Sequence, residues 1–340
     1  MTKILAALAL AIGARMAIAG PTASSIADLP EAVAFAQDLE KRHGFDATAL
    51  INQFSAAQTN SRVLQLIAPP ASPTQRSWER YRPRFINEQR INGGVRFWQE
   101  NALTLARARA LYGVPEEVIV AIIGIETVYG KNTGNFGVLE ALATLAFQYP
   151  RRADFFRSEL EQFLLLSREN RLDPLSVKGS FAGAIGIPQF MPGSQRRYAV
   201  DFDGDERIDL SNSLEDAIGS VARFLEQHGW QAGQPVAIPA KLPGTPDASL
   251  IEAGIRPSLK AGDLFLRGIK ANAAPESTVT LVDLVSPGRD TEYWLGFENF
   301  YVITRYNRSS FYAMSVFQLS EEIRRRMPLT GDEKTAMNQR

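Results

Sequence analysis

Apolar side chains recur at helical spacing through most of this chain, and strand-like runs come only late in it. From Leu29 to about Leu66 the spacing of Val33, Phe35, Ala36 and Leu39 predicts helix, and Pro69, Pro70 and Pro73 break that region. A second helical stretch is predicted from about Gly94 to Tyr112, closed by Gly113 as its cap. Pro115 suits the first turn of another helix, roughly 115–128, with Glu116 and Glu117 near its positive end. That helix is apolar almost all round, which predicts a buried central position. A further helix covers Ala153 to about Asn170, with Phe156, Leu160, Phe163 and Leu164 on one face and Asp173-Pro174 as its stop. After Trp230 the texture changes. Residues 231–300 are rich in Gly and Pro, and β-prone runs stand at Leu264–Ile269, Thr278–Val285 and Tyr301–Thr304. A last helical stretch is expected over about Glu321 to Arg326, before a polar tail at 329–340. The pattern predicts a mainly α, α+β chain: a helical region over 20–230, a small β-containing subdomain over 231–300, and a return to the core over 301–328.

One position breaks the central apolar run. Glu126 follows Val118, Ile119, Val120, Ala121, Ile122, Ile123 and Ile125. A carboxyl in such surroundings has its pKa raised, as a general acid working near neutral pH requires. The plainer alternative is a structural glutamate held by an ion pair or backbone donors. Beyond it, Tyr129-Gly130 and the glycines at 134 and 137 suit a flexible or closely approached loop. Gly179–Met191 alternates glycine, polar and aromatic residues, so backbone can approach a ligand while Ser180 and Gln189 supply hydrogen bonds and Phe190 an apolar face. A helix-packing turn is the alternative there. Asp201, Asp203 and Asp205 stand at positions 1, 3 and 5 of a calcium-type loop with Gly204 between, and Arg207 at position 7 offers its carbonyl. Position 12 is Asn212 rather than an acid, and a solvated acidic turn is the alternative.

Composition narrows the function. The formal net charge is zero, so nothing favours a polyanion and a nucleic-acid partner is not expected. Cysteine is absent, which excludes disulfides, thiolate metal sites and a lipid anchor on a cysteine. His43 and His228 are the two histidines, too few for a histidine metal cluster. Lys3, the apolar run Ile4–Ile12 and Ala17-Ile18-Ala19 before Gly20 read as a secretory signal over 1–19. An exported, soluble, periplasmic protein is expected.

Several motifs in order resemble the membrane-bound lytic murein transglycosylase B family. They are Gly124-Ile125-Glu126-Thr127-Val128-Tyr129-Gly130, Phe147-Gln148-Tyr149-Pro150-Arg151-Arg152-Ala153, Gly179-Ser180-Phe181-Ala182-Gly183-Ala184 and Gln189-Phe190-Met191-Pro192. The likeness runs on through Tyr198–Asp205, Asp216–Ser220 and His228-Gly229-Trp230 to Ile303–Asn307, and covers about residues 30–320.

The resemblance implies a lysozyme-like helical domain with a small β domain beside it. It implies cleavage of the β-1,4 bond between N-acetylmuramic acid and N-acetylglucosamine in peptidoglycan. Glu126 matches a single catalytic glutamate that protonates the leaving oxygen and then deprotonates the muramic-acid 6-hydroxyl, giving a 1,6-anhydro sugar. Most glycosidases use two carboxylates, and between Glu126 and Ser194 no second acid stands in a conspicuous motif. By the same resemblance Ser180, Gln189, Phe190 and Met191 line the groove, Tyr306, Asn307 and Tyr312 contact sugar, and Tyr81 faces the cleft. Arg151 and Arg152 are expected to clamp stem-peptide carboxylates, against the alternative of an ion pair with Asp154 or Glu159. Asp216 is expected to close the acidic loop, with Glu215 as competitor, around a structural Ca2+; no cofactor is expected for catalysis. Phe224 departs from the tyrosine common in relatives. Glycan strands are the expected partner, together with cell-wall synthesis or remodelling proteins. A hydrolase of the same bond and a non-catalytic wall-binding scaffold remain the rival readings.

Overall fold

The computed structural model describes residues 25–69 and 76–328. The signal-like segment, Pro70, Pro73 and the polar tail lie outside the described residues. The chain opens with α1 (Pro30–His43), α2 (Ala47–Ala56) and α3 (Ser61–Ile67). Gly44 ends α1 in a left-handed conformation, and Asp46 and Asn60 cap α2 and α3 by accepting backbone N–H bonds. The apolar stretch predicted from Leu29 to Leu66 is therefore three helices. Next come α4 (Trp78–Tyr81), α5 (Glu88–Glu100) and α6 (Ala102–Tyr112). The single helix expected over Gly94–Tyr112 divides at Asn101, whose side chain donates back to the Phe97 carbonyl and ends α5.

Helix α7 (Glu116–Thr127) is the buried centre, packed by α5, α6 and later helices. Pro115 is extended, with ψ 144°, and stands just before α7 rather than in its first turn. Strand β1 (Phe136–Gly137), α8 (Val138–Gln148), α9 (Ala153–Glu169) and β2 (Lys178–Gly179) follow, and β1 pairs antiparallel with β2. Then come α10 (Pro192–Tyr198) and α11 (Leu214–Gln227). Helices α1–α3, α8 and α9 enclose one apolar core, and α5–α7 and α11 contribute to a second.

The remaining elements are β3 (Ala237–Ala240), α12 (Ala248–Glu252), β4 (Leu259–Lys260), α13 (Ala261–Leu266), β5 (Thr278–Leu284), β6 (Glu292–Gly296), α14 (Glu298–Thr304) and α15 (Ser310–Arg326). Of the three β-prone runs, Thr278–Val285 supplies a strand. Leu264–Ile269 instead begins in α13 and Tyr301–Thr304 lies in α14, because Leu264, Val302 and Ile303 bury themselves from helical positions. The last helix starts well before the short stretch predicted at Glu321, at Ser310, where Ser309 caps it.

The sheet is antiparallel in the order β3-β6-β5-β4. Strand β5 is apolar on both faces, since successive side chains point to opposite sides. Val279 and Leu281 enter a third, smaller core, while Val282 and Leu284 enter the large helical one. Trp294 of β6 meets Phe317 of α15 edge-on, with ring centroids 6.0 Å apart. The Val285 carbonyl accepts the Trp78 N–H at 2.8 Å, so the end of the sheet fixes α4 and with it Tyr81.

Candidate active site

Glu126 lies one residue from the end of α7, where the chain is forced to turn. Val128, Tyr129 and Gly130 all take positive φ, at 52°, 61° and 82°. A β-branched residue there is strained, so something must hold it. Thr127 does so: its hydroxyl donates to the Ile187 carbonyl at 2.8 Å and accepts the Gly130 N–H at 2.9 Å. The turn swings Tyr129 back beneath the helix, where its hydroxyl donates to the Arg90 carbonyl at 2.6 Å. Gly93 and Gly124 leave the slot this ring needs, for a Cβ on Gly124 would stand 2.5 Å from the Tyr129 oxygen. The start of the loop is closely approached and tied down by these bonds.

The segment after β2 is pinned as well. Ser180 accepts N–H bonds from Ala182 and Ala184, and Ile185 and Phe190 exchange backbone bonds at 2.8 and 3.1 Å. Gln189, at φ 53°, donates its amide to the carbonyls of Thr133 and Gly186. Phe190 is 2% exposed, so it supports the site from below rather than presenting a face to a ligand. It packs against Phe224 and Tyr306, with centroids 5.5 and 5.7 Å away. Phe224 keeps the apolar wall that a tyrosine would share, between Tyr198, Tyr306 and His228. Met191 leads into α10 and packs on the N-terminal core.

The third wall is the α14–α15 turn. Tyr306 donates its hydroxyl to the Pro188 carbonyl and stacks on Tyr312, with 6.4 Å between ring centroids and 15° between planes. Tyr312 in turn donates to Glu126 Oε1 at 2.6 Å. Asn307 is exposed beside them. Tyr81 stacks on Trp78 and touches Phe311, close enough to Glu126 for its phenol pKa to be raised, first by burial and then by that charge.

Glu126 itself is half-buried, and loss of hydration pushes its pKa up to about 7. The Tyr312 hydrogen bond pulls the other way and is the weaker effect. Among the described residues no second carboxylate contributes. Burial and the Glu126 charge hold the Tyr306 and Tyr312 hydroxyls well above the usual phenol range, so both remain donors.

Arg151 and Arg152 form the turn between α8 and α9, exposed, with the Arg152 guanidinium 4.3 Å over the Phe155 ring. Neither expected ion pair forms: Asp154 meets Arg157 at 3.6 Å, and Glu159 accepts the Gly193 N–H at 2.8 Å. Sequence reasoning missed Thr127, Arg90 and Trp78 as supports of the site. Thr127 stands within one of the motifs, but nothing in its spacing signals a lock.

In the acidic loop Asp201, Asp203 and Asp205 bring their carboxylates within 4.8 Å of one another. Three hard oxygen donors around one point suit Ca2+. Arg207 follows, its N–H held by Asp205 at 2.9 Å. Asp216 does not join the cluster. Ser213 caps α11 and sets Asp216 in the first turn, where its two oxygens accept the Phe202 and Asp209 N–H groups at 2.6 and 2.7 Å. It ties down both arms of the loop from beneath.

Residues 28–321 match the transglycosylase SLT domain family. Membrane-bound lytic murein transglycosylase B of Escherichia coli (strain K12) is 42% identical over 316 residues, 87% of this chain and 83% of that protein. Soluble lytic transglycosylase SltB1 from Pseudomonas aeruginosa superposes with TM-score 0.80 at 47% identity, covering 87% of this chain and 99% of that one. The Escherichia coli lytic transglycosylase Slt35 in complex with calcium gives TM-score 0.78 at 41% identity, over 87% and 93% of the two chains. On the length of that family match and the closeness of these relatives, the chain belongs to the transglycosylase SLT domain family, as a lytic transglycosylase acting on peptidoglycan.

Proposed function

We propose that Glu126 alone serves as acid and then base in a cut that consumes no water. The carboxyl, protonated on Oε2 while Oε1 accepts from Tyr312, gives its proton to the glycosidic oxygen of the leaving N-acetylglucosamine. The C1–O bond breaks, and the substrate's own N-acetyl group steadies the positive charge at C1. The Glu126 carboxylate then takes the proton of the muramic-acid 6-hydroxyl as that oxygen closes on C1, which leaves the acid restored and a 1,6-anhydro ring. The observation that carries this reading is a carboxyl raised to about 7 with a tyrosine donor and, among the described residues, no second carboxylate acting on it. A pKa near 7 suits a group that must give and regain a proton in one turnover.

Mass spectrometry of sacculus digests tests it. Wild-type products should end in anhydro sugars, one water lighter than reducing ends. Glu126→Gln should lose about 10²–10⁴-fold in rate. Reducing ends from the wild type would instead make the enzyme a hydrolase, and lysis surviving in the variant would remove Glu126 from its role.

The acidic loop reads as a structural calcium site on Asp201, Asp203, Asp205 and the Arg207 carbonyl, supported by the donor set and by the calcium complex of the Slt35 relative. Chelation should lower the melting temperature of the wild type and leave an Asp203→Asn variant unmoved; no shift in either would dismiss the site. The N-terminal 1–19 segment fits export to the periplasm, where the substrate lies. Glycan strands then occupy the cleft between Tyr81, Glu126 and Tyr306–Tyr312, with Asn307, Ser180, Gln189 and Met191 at its margins.

A further inference from the structure

A cavity of about 350 Å³ lies beside the first turn of α15, between Thr280–Asp283 of β5, the Gly254–Ile255 turn and Arg308–Ser310. Two arginines line it in different states. Arg76 is fixed: it reaches Asp283 at 3.3 Å and the Ser310 hydroxyl at 3.3 Å, and its guanidinium sits 4.7 Å over the Phe311 ring. Arg308 is exposed and has no ion pair or hydrogen bond among the described residues. Asp283 is the one acid in the lining among the described residues and is already matched by Arg76. The cavity therefore carries one uncompensated positive charge.

Its position relates it to the chemistry. Ser309 accepts the N–H of Tyr312, whose hydroxyl is on Glu126, and Phe311 lies 5.5 Å from the Tyr81 ring. The cavity thus adjoins the helical turn that carries Tyr312 to the reacting carboxyl. The sugar cut at C1 is a muramic acid, and its lactyl ether carries a short peptide with free carboxylates. That peptide has to leave the sugar close to Glu126. Arg151 and Arg152 make no hydrogen bond, ion pair or ring contact with Glu126, Tyr306 or Tyr312 among the described residues.

We propose that this cavity receives the acidic stem peptide of the muramic acid at the cleaved bond, with Arg308 pairing to a peptide carboxylate and the β5 edge forming the wall. The proposal rests on the peptidoglycan reading of the site and adds a peptide subsite shared between the sheet and α15. An arginine fork fits a carboxylate in two parallel bonds, which a lysine cannot do.

The test compares wild type, Arg308→Ala and Arg308→Lys on peptide-bearing glycan strands and on the same strands stripped of peptide by an amidase. Arg308→Ala should lower kcat/KM on peptide-bearing strands about tenfold, mainly through KM, the size of one charge-assisted contact. The preference between the two substrates should shrink by the same factor, and Arg308→Lys should recover part of it. Equal losses on both substrates would overturn the proposal, since Arg308 would then act on the sugar. Unchanged kinetics on both would overturn it too. If the wild type releases no anhydro ends from either substrate, the peptidoglycan mechanism itself fails, a result separate from any effect of Arg308. Thermal melting of each variant, expected to match wild type because Arg308 is exposed, separates lost recognition from lost fold.

Discussion

At the scale of single residues, the carboxyl of Glu126 balances one loss against one gain. Removing water raises its pKa, and the Tyr312 hydroxyl brings it part of the way back to about 7. In the proposed mechanism the protonated form starts the reaction, so activity should fall as pH rises through about 7. Tyr312→Phe removes the bond that favours the carboxylate, so the pKa rises further and the falling limb of the pH profile should move to higher pH. A limb that stays in place, or moves lower, would contradict this account of Tyr312. On the same mechanism the maximum rate of that variant should fall as well, because the carboxylate left by the first proton transfer would lose its donor. Glu126 stood out in the sequence because it is an ionisable group in an apolar helix, and its raised pKa follows from that setting. Its donor was not legible: the resemblance offered Tyr312 only as a sugar contact, and across 186 residues no local spacing links it to Glu126.

At the scale of elements, the end of α7 is held by close approach. The helix runs out through strained residues, and Tyr129 folds back on a surface stripped of side chains at Gly93 and Gly124. In an ordinary helix, Gly→Ala stabilises by about 1 kcal/mol. At Gly124 the added methyl meets the Tyr129 ring, and overpacking costs about 1–3 kcal/mol. Gly124→Ala should therefore lower the midpoint of denaturant unfolding and depress activity by shifting Glu126; a rise in stability would show that the slot yields. The long helices α7 and α9 were readable from periodicity, which depends only on neighbours in sequence. The short elements were not. Leu264 and Tyr301–Thr304 favour strands by residue type, yet the cores they face take them as helix. Asn101 divides α5 from α6 with a side-chain bond that no apolar pattern encodes.

At the scale of the whole molecule, the change of texture after Trp230 foretold a separate β-containing part, while the two-faced burial of β5 depended on where α15 would lie. Glu126 comes from α7, Tyr81 from a helix anchored to the sheet, and Tyr306 and Tyr312 from either side of the α14–α15 turn. Non-local pairings of this kind form late, since the loop between them must close first. The interval between Glu126 and Tyr312 thus acts as a clock on synthesis. A chain still emerging from the ribosome has its acid but neither the donor nor the stacked tyrosines. The power to open a cell wall arrives only when α15, the last helix among the described residues, has been made and docked.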